Sequence, residues 1–351
     1  VDARDTACCR SPAFRYRQCE RGWPTCRQPA GIACLSTLAA GGALNVSGPI
    51  FGLLSALSWG TGDFAGGLIS RFSSVFVAIM ASEAVGLVIA LVLALVTGEP
   101  ISAADSVGWA ALAGVAGVTG LGAFYYALSR GTMGVVAPLS ALIGAGLPVV
   151  IGILSGESID VGRGLGMVLA LTAVVLISLP GGERTTDERR LVRIDVHQLP
   201  LVLVAGLGFG LFFVFLNHAV TTGETWWPMV IVRVVGFVIT VATLLAVTAR
   251  ARERTWKRRI DVTLGFPRLR ARAVRPRVAL SVVLICGLGD LGGNGFFVLA
   301  TRADTLSVAV VLSSLYPIVT TLLAALFLSE RLRPLQILGV VLASLSVPLL
   351  R

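Results

Sequence analysis

Charge is scarce in this sequence. Only 14% of its 351 residues are Asp, Glu, Lys or Arg, against 55% hydrophobic residues, too few charges to cover the surface of an ordinary soluble domain. Histidine is scarcer still, with His197 and His218 alone. Neither stands at metal-site spacing from the cysteines, so no metal site is expected. No phosphate-binding GxxxxGK[ST] motif occurs, which argues against ATP-driven work by this chain. GxSxG, HExxH and CxxC are missing as well, and no enzyme and no cofactor are expected. The glycines of GTGDFAGG, residues 60–67, lie inside an apolar run and not at a strand-to-helix turn, so they do not signal nucleotide binding.

What fills the sequence instead is a succession of apolar stretches. Ten can be marked, at 50–69, 74–96, 107–129, 133–154, 163–180, 198–219, 226–249, 278–300, 305–328 and 333–350. Each is close to the roughly 20 residues a helix needs to cross the hydrocarbon core. Ten such runs joined by short connections would make a soluble core with no surface to enclose it, and they lack the ten-residue alternation of a membrane barrel. The expected fold is an all-α integral membrane protein with ten transmembrane helices, leaving almost no residues for a soluble catalytic domain.

Residues 1–49 differ from the rest. They hold five of the six cysteines, Cys8, Cys9, Cys19, Cys26 and Cys34, among scattered Pro and Arg. They read as a disordered, cysteine-containing N-terminal extension or as upstream sequence outside the working protein, and are set aside from the fold. The formal net charge is +10, and most of the basic residues lie in that extension, in the linker 181–197 and in the basic insertion 250–277. Apposition to anionic membrane lipid explains that placement, and nucleic acid is not an expected partner. Charge counting over the connections favours both termini outside.

The two halves repeat. A shift of 173 residues lays Gly122 on Gly295, Thr132 on Thr305, Leu139 on Leu312, Ser140 on Ser313 and Glu157 on Glu330, and a shift of 150 lays Ser58 on Gly208 and Gly60 on Gly210. The first repeat covers 50–180 and the second 198–350, each with five spans. Because five is odd, the second copy must enter the membrane from the opposite side. Two inverted five-helix repeats are an arrangement of secondary transporters, which rock two similar halves about a central site.

Residues 52–71, GLLSALSWGTGDFAGGLISR, resemble the first helix of the EamA-like transporters of the drug/metabolite transporter superfamily. Residues 307–347, from SVAVVLSSLYPIV through LSERLRP to LASLSV, resemble their last two helices, with a counterpart from Gly131 to Gly166 in the first half. The resemblance covers roughly 50–350. It implies a multi-pass protein of the bacterial inner membrane that exports small metabolites, amino acids or drugs without ATP by alternating access, with import of a small nutrient as the alternative direction. It also implies cytoplasmic termini, against the charge count, so orientation stays open. A homodimer is a further open expectation. The first half departs from the second in having Ile143 and Gly144 where the second has Tyr316 and Pro317.

An ionisable side chain within hydrocarbon costs roughly 2.5–3.5 kcal/mol on insertion scales, so each one asks for a partner or a water-filled cavity. Four stand out: Asp63, Glu83, Arg233 and Asp290. Glu83 and Arg233 differ by the repeat offset of 150, and equivalent positions can meet near a twofold axis. They either pair across the halves or line the cavity separately. Asp63 could accept a proton or a cationic group, or could cap a helix end. Asp290 lies deep in its span. Trp59, Tyr125, Asn217, Asn294 and Tyr316 supply aromatic and amide groups for a pocket wall, although the asparagines could equally join helices. Trp226 and Trp227 are expected as interface anchors. Glu157 and Glu330 are expected to cap the helix that follows or to form interfacial ion pairs. The partners in view are a small solute, membrane lipid and protons.

Overall fold

The computed structural model describes residues 32–70, 75–130, 133–178, 199–220, 224–254, 276–328 and 332–350. It divides into two compact units, Val1–Leu44 and Asn45–Arg351. The second unit carries the fold. The described residues are all-helical: α1 Ile32–Ser70, α2 Val75–Thr97, α3 Ala104–Arg130, α4 Met133–Leu154, α5 Val161–Ser178, α6 Leu199–Ala219, α7 Trp226–Arg254, α8 Pro276–Ala303, α9 Leu306–Ser313, α10 Tyr316–Leu328 and α11 Pro334–Leu349. Among the described residues seven segments are long and apolar enough to cross a membrane, and the span Leu306–Leu328 joins α9 to α10. Helix α1 begins at Ile32, ahead of the span expected from 50. Of the basic stretches, 181–197 and 255–275 lie outside the described residues, as do residues 1–31.

Burial in Asn45–Arg351 is inverted relative to a soluble protein. Its interior is rich in small side chains, with Ala90, Ala110, Ala127, Ala170 and Ala205 fully buried, while Leu95, Val96, Leu154 and Leu326 are exposed. A surface of that kind needs lipid against it. Small interior residues let backbones approach, which is how helices gain contact where lipid removes the hydrophobic drive to associate. A Cβ on Gly289 of α8 would stand 2.6 Å from the Gly62 Cα of α1, and one on Gly208 of α6 would stand 2.6 Å from the Gly120 Cα of α3.

The contacts recur at the repeat offsets. Gly287 lies on Val85 and the Ser82 carbonyl, and its counterpart Gly114 lies on Val235 and the Val232 carbonyl. On α5 and α11 the pattern is reciprocal: Gly166 packs on Leu350 and Gly339 packs on Ile177. Since 166 corresponds to 339 and 177 to 350, each helix gives the other what it receives. The α2–α7 pair behaves alike, with Gly86 against the Arg233 guanidinium and Gly236 against the Glu83 carboxylate.

One expected helix is broken. The ninth span, taken as continuous over 305–328, stops at Ser313, turns through Ser314 and Leu315, and restarts at Tyr316. Pro317 has no N–H to give to the Ser313 carbonyl, and the Ser314 hydroxyl bonds back to the Val310 carbonyl at 2.7 Å, beside the Ser314 backbone N–H at 2.8 Å. Helix α4, with Ile143 and Gly144 at the matching place, runs unbroken.

Candidate functional site

The site forms where α1, α2, α7, α8 and α10 converge. Helix α1 is fastened to α8 by its small polar face: the Ser55 hydroxyl donates to the Gly293 carbonyl at 2.8 Å and that of Ser58 to the Gly289 carbonyl at 2.9 Å. Gly62 continues this face, and a Cβ there would stand 3.0 Å from the Asp290 backbone nitrogen. On its other side α1 meets α10, where the Thr320 hydroxyl donates to the Gly60 carbonyl at 3.1 Å. Asp63 projects between these two contact faces, one turn beyond Trp59. It stands within electrostatic reach of Asp290 and Tyr316, and its side chain is exposed. Mid-helix placement, seven residues before the end of α1 at Ser70, removes the capping alternative.

The four intramembrane ionisable residues come together. Arg233 Nη1 donates to Glu83 Oε2 at 3.2 Å and also to Asp290 Oδ2, to which the Ser82 hydroxyl adds a bond at 3.3 Å. Arg233 is 3% exposed, Glu83 15% and Asp290 35%, so the guanidinium sits at the back and Asp290 faces open space. The expected Glu83–Arg233 pair is present, with a second carboxylate that the repeat offset does not announce. Asp290 corresponds to Gly117, which packs on Phe212. Here the halves differ.

Next to this cluster lies an aromatic wall. Trp59 meets Phe213 edge-on with ring centroids 5.6 Å apart, Phe297 at 6.1 Å and Tyr316 at 6.4 Å. Gly293 makes room for the indole, since a Cβ there would collide with Trp59 Cδ1. Phe213 and Phe297 were not expected at the site, yet the repeat held a signal for each. Phe213 is the counterpart of Asp63, and the Trp59–Phe297 contact mirrors that of Phe209 with Phe124, whose centroids are 5.8 Å apart. Ser82 carried no signal beyond its place before Glu83.

Other expected residues fall elsewhere. Asn294 is 4% exposed, one turn beyond Asp290 on α8, and its Oδ1 has no hydrogen-bond partner among the described residues. Asn217 is half-buried on α6, one turn past Phe213. The Tyr125 side chain lies outside the described residues, as do Glu330 and Arg331. Trp226 and Trp227 open α7 at Glu99: the Trp226 backbone N–H donates to Glu99 Oε2 at 2.8 Å and the Trp227 indole to the Glu99 carbonyl at 3.0 Å.

Glu157 caps a helix, but not the one that follows it. Gly156 at φ +96° turns the chain after α4, and the Glu157 carboxylate accepts from Leu306 N at 2.9 Å and Ser307 N at 3.3 Å. It therefore caps α9 in the other repeat, satisfying free N–H groups with a charge that suits the helix dipole. The start of α5 is served by Asp160, which accepts from Arg163 N at 3.0 Å, while the Arg163 guanidinium reaches Asp304 at 3.3 Å.

Residues 46–179 and 198–351 each match the model of the EamA-like transporter family. The chain belongs to that family. It is thus a multi-pass membrane transporter of the drug/metabolite type. A solved structure described only as the crystal structure of a protein is similar at a TM-score of 0.59 and 16% identity, over 87% of this chain and 96% of that chain, which speaks for a shared fold alone. No curated protein matches the sequence. For an EamA-like transporter, the convergence of five helices on one charged and aromatic site is the arrangement with mechanistic consequence.

Proposed function

We propose that this EamA-like protein is a secondary transporter that exports small organic solutes, metabolites, amino acids or drugs, across the bacterial inner membrane by alternating access, with protons as the coupling ion. Ten crossings form two inverted five-helix repeats, α9 and α10 together making the ninth. The observation that carries this reading is the reciprocal contact of image residues: Glu83 and Arg233 are equivalent under the repeat and touch each other. Equivalent points of two related bodies meet only at the symmetry axis, and for inverted halves that axis lies in the membrane plane, near its middle.

The chemistry follows from that position. Carboxylates at mid-depth hold protons or cations, and Arg233 joins Glu83 of the first repeat to Asp290 of the second. A guanidinium with two competing partners is a contact that rocking of the halves can remake. Asp63 and Asp290 supply proton-accepting groups, and Trp59 and Tyr316 supply an apolar wall for an amphiphilic solute. The test is flux in proteoliposomes with solutes chosen by toxicity profiling of cells lacking and overproducing the protein. An imposed pH gradient should drive the leading solute against its concentration, and Asp63→Asn should uncouple the two. Flux indifferent to the proton gradient in every variant would remove proton coupling, and uptake in oriented vesicles would reverse the assigned direction.

A further inference from the structure

We propose that the interior site takes protonated amines that carry an apolar or aromatic body, with the ammonium group held between Asp63 and Asp290. This rests on the transporter reading and names its substrate class. Among the described interior residues, Asp63, Glu83 and Asp290 face a single cation, Arg233, whose Nη1 is already engaged with Glu83 and Asp290. A surplus of carboxylates on the helices of a membrane protein, two of them open to the same space, demands positive charge from outside the chain. Protons meet that demand when the site is empty, and a cationic solute meets it when the site is filled.

Three features select an organic ammonium. Among the described residues no three His, Cys, Asp or Glu side chains are grouped to hold a metal ion, which favours an organic cation over a bare divalent one. The buried Asn294 Oδ1 lacks a donor and sits one turn from Asp290 on the same helix, offering an acceptor that an N–H-bearing cation satisfies and a quaternary one does not. The indole of Trp59 and the ring of Tyr316 stand beside the carboxylates, and aromatic faces attract cations while packing apolar bodies. The titratable groups that face Asp63 are Asp290 and Cys286 from α8 and Tyr316 from α10. Those facing Asp290 are Glu83 with Ser82 from α2, Arg233 from α7 and Asp63 from α1.

The test uses the purified full-length protein in detergent, titrated with 2-phenylethylamine, its N-trimethyl analogue and the neutral 2-phenylethanol. Affinity is read by calorimetry and proton release by a pH indicator in weak buffer. The primary amine should bind at least about tenfold more tightly than the alcohol, release protons and weaken as pH falls. Asp63→Asn should lower amine affinity about tenfold and suppress proton release, while Asp63→Glu, with the charge retained, should restore much of both. Asn294→Leu should weaken the primary amine more than the trimethyl form. Equal binding of amine and alcohol, or amine binding untouched in a folded, monodisperse Asp63→Asn protein, overturns the assignment. Failure to bind any amine, with proteoliposomes still exchanging a neutral or anionic solute, sinks the amine class and leaves the transporter standing. Amine binding without flux of any solute sinks the transporter reading instead.

Discussion

Arg233 concentrates the energetic risk of the interior. Its guanidinium is buried and paired with Glu83 and Asp290, and removing one member of a buried ionic group leaves the others uncompensated, at a cost of about 3–5 kcal/mol. Arg233→Met should therefore lower the thermal unfolding midpoint in detergent markedly, and adding Glu83→Gln and Asp290→Asn should recover much of it. The structure also alters what a charge exchange should do. Glu83→Arg with Arg233→Glu would set a carboxylate against Asp290, so the exchanged pair should fold poorly and improve when Asp290→Asn is added. An exchange as stable as the starting protein would show that Asp290 does not share the guanidinium. Glu83 and Arg233 were legible from the sequence because an intramembrane charge is costly and their spacing equals the repeat offset. That Asp290 joins them depends on the rotation and depth of α8, which no offset encodes.

Helix contacts set a second scale. At Gly62 and Gly289 two backbones nearly touch, and the same closeness recurs at Gly120 and Gly208. Backbone cannot move aside as a flexible side chain can, so Gly289→Val and Gly208→Val should each destabilise by about 1–3 kcal/mol through overpacking. Gly122→Ala and Gly146→Ala, where no heavy atom lies within 4 Å of the new Cβ, should leave the unfolding midpoint nearly unchanged. If all four behave alike, the close approach is not what holds α1 to α8 and α6 to α3. The α9 cap belongs to this scale too. Glu157→Ala should cost about 0.5–2 kcal/mol and expose the α9 amides to faster hydrogen exchange, with the start of α5, which Asp160 serves, unaffected. The sequence flagged Glu157 as a terminal residue through its repetition as Glu330. Its partner is a helix some 150 residues later, which the local sequence does not encode because the cap acts across the repeats and not along the chain.

For the whole molecule, the proposed inversion has a direct consequence. Ser155, just past α4, and Leu328, the last residue of α10, are image positions. In a background with the native cysteines replaced by serine, single cysteines at these two places should react with a membrane-impermeant thiol reagent from opposite sides. Labelling from the same side would end the inverted arrangement and with it the placement of Glu83 and Arg233 on an in-plane axis.

Solvent preference and chain length alone determined that this is a helical membrane protein. Apolar runs near span length have few other places to go. The repeat, too, was written in residue spacing, since both halves were built to one plan. Tertiary structure decided the rest. It broke the ninth span at Ser314–Leu315, sent Glu157 to α9, and set Phe213 and Phe297 beside Trp59. It also gathered Asp63, Glu83, Arg233 and Asp290 into one cluster. Periodicity and cost identify which residues need a partner. Which partner each finds depends on how helices rotate and at what depth they cross, and glycine faces with no side chains of their own settle that only when they meet.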